Sequence, residues 1–438
     1  MSRSSDTATL PASFRLADGE LVLDPRDPTF FADPYPAYAA LHAAGGIARW
    51  EDIGALAIAR HNLVTSFLKD RRFGRIVANN PEGRPDFAGK PAHLAAFYAI
   101  ESNSLLELEP PTHTRLRGLL IKAFVSRRIE RLAPKIQAIA DELIDGFAEQ
   151  QTVDLIADSA VPLPVRVIAD VIGVPPAAAA RLLDWSHRMV AMYTPGRTLD
   201  AEHAANTASR EFTAFLQEVI GTKRAAPGDD LISALIAAEA EDGKLRRDEM
   251  ISLVVLLLNA GHEATVHQIG NGVKSILETC HSTGECPASF LADEADGDAP
   301  KSEAIIEETL RFDPPLHLFE RYVLEPMTLP GGPTLARGDK VALLLGAANR
   351  DPAVYAEPDR FIPTRFLDRS TRTHTAFGGG IHFCIGAPLA RLELRIALSR
   401  LFHRCPDLRM TAAPRYRNSW HFHGLKRLQV AVGHPHTG

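Results

Sequence analysis

Between residues 112 and 279, apolar side chains return at steps of three and four, over 112–133, 134–150, 161–173, 177–194, 200–224, 229–241 and 247–279. Such spacing puts them on one face of an α-helix, so most of this chain can bury them only by packing helix on helix. Other patterns flank this region. "GIARWEDIGALAIAR" (46–60) alternates around a turn and predicts a hairpin. Residues 1–35 are rich in Pro and Asp and are expected to be irregular, with 1–20 outside a folded domain of 21–438. An acidic loop punctuated by Gly and Pro is expected over 284–302, then a helix (303–312), short strands and turns (313–375), a helix (387–403) and a strand-rich tail. No repeat or flexible linker interrupts the chain, which favours one large, mainly α domain with a small β part.

Composition narrows the class. Among 438 residues, 45% are hydrophobic and 23% charged, ordinary values for a globular enzyme. A net charge of −6 argues against nucleic acid as the main partner, which calls for a basic field. "MSRSSDTATLPASF" has no apolar core, so it is no secretory signal. The run "ISLVVLLLNA" (251–260) is short of the roughly 20 apolar residues that span a bilayer. Cys280, Cys286, Cys384 and Cys405 form no regular framework, as expected in a reducing interior. These features predict a soluble, cytoplasmic protein with no membrane association.

One cysteine stands out. In "AFGGGIHFCIGAPLARLELR" (376–395), Cys384 follows a glycine run and precedes an amphipathic helix. No Lys-Ser or Lys-Thr follows the glycines, so this is no phosphate loop, and Phe383 stands where a dinucleotide fingerprint needs glycine. Two readings remain. Pro388 suits a first helical turn, and sulfur at a helix N-terminus is favoured as the thiolate, a metal ligand. A small buried thiol in a turn would look the same.

The pattern Phe377-Gly-x-Gly-x-His382-x-Cys384-x-Gly386 resembles the haem-binding signature of the cytochrome P450 superfamily. The resemblance runs from about residue 20 to 433 and includes "VPLPVRVIADVIGVPP" and "HFHGLKRLQV", which look like bacterial members. It implies the cytochrome P450 fold, with haem b between a long distal helix and the helix after the cysteine loop. Cys384 would be the axial ligand of iron, with Phe377 and Gly386 shaping the loop and His382 bonding a propionate. In "EETLRF", Glu308 and Arg311 share a helix face, and Arg360 of "EPDRF" matches the third member of the family's structural triad. In "PPTHTRLRG", His113 and Arg117 share a face and would answer the propionates, as would Arg321 of "FERYV".

"HEATVH" on the long helix invites a zinc-protease reading. His262 and His267 are five apart, about 140° around a helix, which refuses that motif. Gly261, His262 and Glu263 instead resemble the family's distal helix, where Gly261 would leave room for dioxygen. The family's usual threonine after the acid is Ala264 here, and Thr265 sits one step on, turned by about 100°. A substrate hydroxyl or water linked to Glu263 is therefore expected to complete proton delivery.

The resemblance implies a haem-thiolate monooxygenase that inserts one atom of dioxygen into a lipophilic small molecule. With no flavin or ferredoxin extension, electrons from NAD(P)H would arrive through a ferredoxin and its reductase. A monomer is expected, with Arg115, Lys122, Arg127, Arg128, Arg391 and Arg395 as a basic docking face. An apolar pocket is expected from Leu105, Leu106, Leu256, Ala260, Leu316, Leu318, Phe319 and Phe422, with Asn103, His317, His421 and His423 able to orient a polar group. The competing readings are a peroxide-driven haem peroxygenase and a non-catalytic haem-based binder or sensor.

Overall fold

The structure is a computed structural model that describes residues 9–77, 80–123, 129–193, 196–240, 245–284, 289, 291, 299–329 and 332–433. Its helices are α1 (Pro28–Ala32), α2 (Tyr35–Ala43), α3 (His61–Phe67), α4 (Ala95–Glu101), α5 (Thr112–Ala123), α6 (Ala133–Asp145) and α7 (Pro162–Ile172). They continue with α8 (Ala179–Val190), α9 (Leu199–Ala225), α10 (Leu231–Ala240), α11 (Arg247–Thr283), α12 (Ala299–Phe312), α13 (Leu345–Ala348) and α14 (Ala387–Arg404).

The helix ends follow local chemistry. Thr198 caps α9 by accepting from Ala201 N–H, with Asp200 and Glu202 in the first turn and Lys223 and Arg224 in the last. At the start of α11, Glu249 reaches back to the backbone N–H of Arg246, and Gly284 ends the helix with φ 78°. Glu249 is fully buried and is also held by Arg84 and Arg115.

α11 is the axis of the molecule. Val254, Leu258, Val273 and Ile276 are completely buried, each worth about 1.5–3 kcal/mol on removal from water. α11 is also long and apolar enough to cross a membrane, yet 72% of its most apolar stretch is buried within the protein. One core joins α11, α6, α7 and α14, and a Cβ on Gly272 would lie 3.5 Å from Leu398. A second core fills the space among α4, α5 and α7 through the first half of α11.

The strands are β1 (Arg15–Ala17), β2 (Glu20–Val22), β3 (Ile47–Trp50), β4 (Ala55–Ile58), β5 (Phe73–Gly74), β6 (Thr152–Asp154) and β7 (Leu318–Val323). After them come β8 (Met327–Thr328), β9 (Thr334–Leu335), β10 (Lys340–Leu344), β11 (Arg409–Met410), β12 (Arg415–Tyr416), β13 (Leu425–Arg427) and β14 (Gln429–Ala431). The main sheet has the order β1-β2-β3-β4-β10-β7-β5. β10 runs parallel to β4, with Val341 opposite Leu56, and antiparallel to β7, with Val341 opposite Arg321.

The expected hairpin is present as β3 and β4, joined by a short 3-10 turn at Glu51–Ile53. The expectation of an irregular 1–20 fails within the described residues. Arg15–Ala17 pairs antiparallel with Glu20–Val22, so the folded part begins by Arg15. Helix α12 starts at Ala299, inside the expected 284–302 loop.

Candidate functional site

The cysteine loop is built from the backbone outward. Gly378 and Gly380 have φ values of 68° and 66°, which favour glycine. A Cβ at Gly378 would lie 2.7 Å from the Phe319 ring, and one at Gly380 would meet the Leu68 carbonyl oxygen at 2.1 Å. Cys384 N–H donates to Phe377 O at 3.0 Å, closing the loop, and Arg391 lies 4.5 Å over the Phe377 ring.

Cys384 is free and exposed to solvent, yet surrounding protein desolvates its thiol and pushes the pKa up. Backbone N–H groups of Gly386 and Ala387 and the charges of Arg117 and Arg391 oppose that rise without overcoming it. The helix N-terminus alone therefore does not make the thiolate expected from the sequence; burial wins. A cation at the sulfur would reverse the balance, because a coordinating thiol is deprotonated. Exposure combined with desolvation marks an internal space rather than the outer surface.

Donors without acceptors gather near this loop. His113 is 1% exposed and neither ring nitrogen has a partner; its ring lies 4.4 Å from that of His382, whose Nε2 is also unpartnered. Burial, then the charges of His382 and Arg117, pulls the His113 pKa down to about 4. Arg321 on β7 is 3% exposed and donates to the Glu320 carbonyl, and it pairs with no carboxylate among the described residues. Burial, then Arg75, lowers its pKa to about 9. Arg117 donates to Phe383 O at 2.5 Å. Glu109, 3.7 Å from His382 Nε2, is the nearby acid. Unpaired buried donors beside a desolvated sulfur suit haem, with propionates for the donors and iron for the thiol. The expected residues His113, Arg117, Arg321, His382 and Cys384 thus fit the group.

The loop is held by a buried ion cluster. Glu308 and Arg311 are both fully buried and joined by two hydrogen bonds, 2.7 and 2.8 Å. The expected third member, Arg360, does not join them. Its side chain is exposed and pairs with Glu357, and only its carbonyl accepts from Arg311. Arg365 takes the place, donating from Nε to Glu308 at 3.2 Å. Arg360 sits in the "EPDRF" turn pointing outward, whereas the short 3-10 helix Arg365–Leu367 turns Arg365 inward. Arg311 also donates to Asn349 O at 3.0 Å, while Asn349 Oδ1 accepts from Thr375 N–H and hydroxyl at 2.7 and 2.9 Å. Glu308 is thereby linked to the first residues of the cysteine loop.

On the long helix α11, Leu256, Ala260 and Ala264 recur every four residues and keep access to solvent, as Asn259 and Gly261 also do in part; Ala260 is exposed. Leu256, Ala260 and Ala264 thus share one partly open helix face. The other expected residues lie elsewhere. A Cβ on Gly261 would point at Ile168 of α7, 3.4 Å away, so this glycine serves helix packing and not dioxygen. Thr265 is buried and donates to Gly261 O at 3.1 Å, which removes it as a substitute hydroxyl. Glu263 accepts from Arg417 at 2.9 Å and stands 3.4 Å from His267 Nε2. Burial raises its pKa, but His267 and then Arg417 outweigh burial and hold it down at about 2, a carboxylate.

Of the expected pocket residues, Leu105 is packed in a core, 5% exposed, and Leu318 packs against the Trp50 core. Leu106 is exposed, and Leu316 and Phe422 meet in an isolated bridge. Asn103 accepts from Arg84, His317 pairs with Tyr38 OH at 2.9 Å, and His423 lies 3.2 Å from Asp313. Those three are structural; His421 is partly buried, with its pKa lowered by burial to about 4. The expected docking face is largely spent: Arg115 binds Glu249 and Arg391 binds Glu307, both bidentately. Arg395 also has a partner, and Lys122 is exposed. Arg127 and Arg128 lie outside the described residues, as does Cys286.

Comparison with known proteins agrees with this arrangement. The sequence model "Cytochrome P450" matches residues 298–409, which include the Glu308 cluster and the cysteine loop. "Cytochrome P450 107B1" of Saccharopolyspora erythraea is 42% identical over 75% of this chain and 77% of its own. "Vitamin D(3) 25-hydroxylase" of Pseudonocardia autotrophica is 36% identical over 92% of this chain and 95% of its own. Among solved structures, P450BioI in complex with hexadec-9Z-enoic acid ligated acyl carrier protein superposes with a TM-score of 0.80. That pair is 30% identical, over 92% of this chain and 99% of the other.

Proposed function

Because this chain belongs to the cytochrome P450 family and is a haem monooxygenase, we propose that it hydroxylates or epoxidises a lipophilic small molecule with electrons from a separate ferredoxin and its reductase. The observation that carries this reading is the desolvated Cys384 thiol beside buried donors that lack acceptors. Held by the Cys384 thiolate, haem would supply an electron-rich iron centre that favours O–O cleavage.

In this reading Cys384 ligates iron, and Gly378, Gly380 and Phe377 set its position. His113, Arg117, Arg321 and His382 bind the propionates as charge-assisted donors. Glu308, Arg311 and Arg365 hold the loop, in positioning roles. Leu256, Ala260, Leu316, Phe319 and Phe422 supply apolar wall, which suits a lipophilic substrate. The names of the relatives support the same class: one is a vitamin D hydroxylase, and another is complexed with a fatty acyl carrier protein. A cytoplasmic location belongs to the same proposal.

Proton delivery is the open step for the side chains. Ala260 and Ala264 offer no hydroxyl, and Thr265 is tied to its own helix. A substrate hydroxyl or a water molecule takes that place, because the Glu263 carboxylate, its pKa held at about 2 by its partners, is a poor proton donor.

The test is a carbon monoxide difference spectrum of the reduced protein. A thiolate-type Soret band is expected, lost in Cys384→His. A band typical of a nitrogen ligand in the unsubstituted protein would overturn the reading.

A further inference from the structure

We propose that His187, His262 and Glu263 form a binding site for a divalent transition-metal ion of the zinc class, joining α8 to α11. His262 Nε2 lies 3.7 Å from Glu263 Oε2, and His187 Nε2 lies 3.8 Å from the same oxygen. One ligand atom from each of the three residues falls within 4.8 Å of the others. Tetrahedral zinc with ligands at about 2.0–2.2 Å requires ligand atoms about 3.3–3.6 Å apart. The two imidazole–carboxylate spacings therefore need to close by tenths of an ångström and the imidazole–imidazole spacing by at most about 1.5 Å, within reach of the exposed His187 side chain.

The orientation of His262 is the second observation. Its Nδ1 stands 2.8 Å from the Leu258 carbonyl, which can only accept, so the proton is on Nδ1. Nε2 is then a bare lone pair, on a side chain 1% exposed, with no hydrogen-bond partner. It faces a carboxylate oxygen, and two acceptors opposed in a buried place call for a cation between them. A ring fixed by a backbone carbonyl through its second nitrogen is also how metal-binding histidines are held.

The remaining groups are consistent with an ion of modest affinity. Arg417 occupies Glu263 Oε1 at 2.9 Å and leaves Oε2 free, although its charge weakens cation binding. His267 Nε2 lies 3.4 Å from Oε1, on the far side of the carboxylate. His187 is 44% exposed in its side chain and gives an entry route from solvent. Two imidazoles and one carboxylate select zinc-class ions over magnesium or calcium, and a water can fill the fourth position. The five-residue spacing of "HEATVH" forbids a site within one helix; the second imidazole comes from α8. A second cluster, Asp313, His317 and His423, is already filled, since Tyr38, Tyr35 and Lys274 engage its atoms.

The test uses the full-length haem-loaded protein, treated with a chelator and titrated with Zn²⁺ against a chromophoric competitor. Saturable one-to-one uptake is expected, unaffected by equal Mg²⁺, together with a Zn²⁺-dependent rise in melting temperature. His187→Ala changes an exposed side chain and should weaken uptake at least tenfold and abolish the rise in melting temperature. No saturable uptake, or equal uptake by His187→Ala, would overturn the site.

Discussion

Arg365 donates from Nε to the Glu308 carboxylate at 3.2 Å, while Arg360, five residues earlier, points to solvent. The two arginines therefore answer differently to removal. Arg365→Ala strips one partner from a fully buried carboxylate, a loss of about 3–5 kcal/mol. Arg360→Ala, at an exposed pair, should stay within about 0.5 kcal/mol. Urea denaturation of both variants checks this, and equal losses would return Arg360 to the cluster.

In the proposed function, the buried charge of Arg321 is answered by a haem propionate. Arg321→Met should weaken haem retention, measured by haem transfer to a scavenger protein. The haem-free protein should gain about 1–3 kcal/mol from losing an unpaired buried cation. A variant that keeps haem as tightly as the parent refutes the assignment.

Ala264→Thr restores the hydroxyl usual in the family. If substrate or water completes proton delivery, product formed per electron consumed should change less than twofold with the native substrate. Thr265→Val should likewise leave coupling unchanged, because that hydroxyl is bound to Gly261 O. A large gain in the first variant, or a large loss in the second, would sink the proposed relay.

Glu307 ties α12 to α14 through Arg391 and is also contacted by His374. Burial raises its pKa, but Arg391 and His374 outweigh burial and hold it at about 2. The folded value lies below the unfolded one, so its stabilisation is complete above pH about 4.3 and fades as pH falls towards 2. The difference between the parent and Glu307→Gln, at most about 3 kcal/mol at neutral pH, should close across that window in acid titrations of unfolding.

Short-range spacing made much of this protein legible. The cysteine loop, the Glu308–Arg311 pair and the His113–Arg117 face each lie within ten residues, where helix and turn geometry fix who meets whom. The long helix was legible from periodicity, although its apolar run read shorter than the helix that carries it. Relations across the chain were not legible. Arg365 is 57 residues from Glu308, and nothing local separates it from Arg360. Glu249 gathers Arg84 and Arg115 from 165 and 134 residues away, which turned an expected docking residue into an anchor. Gly261 misled because a missing side chain says nothing of direction; only the neighbouring Ile168 does. The β1–β2 pair escaped notice because strands of three residues carry too little alternation to register.

Asn349 gives its carbonyl to Arg311 and its amide oxygen to Thr375, so one residue belongs to two frameworks at once. Fraying on either side must first break that junction, and the α12 clamp and the sulfur-bearing loop should open together as one cooperative unit. Amide exchange across 308–311 and 375–384 would then share a single opening free energy, and exchange in Asn349→Ala would split into two.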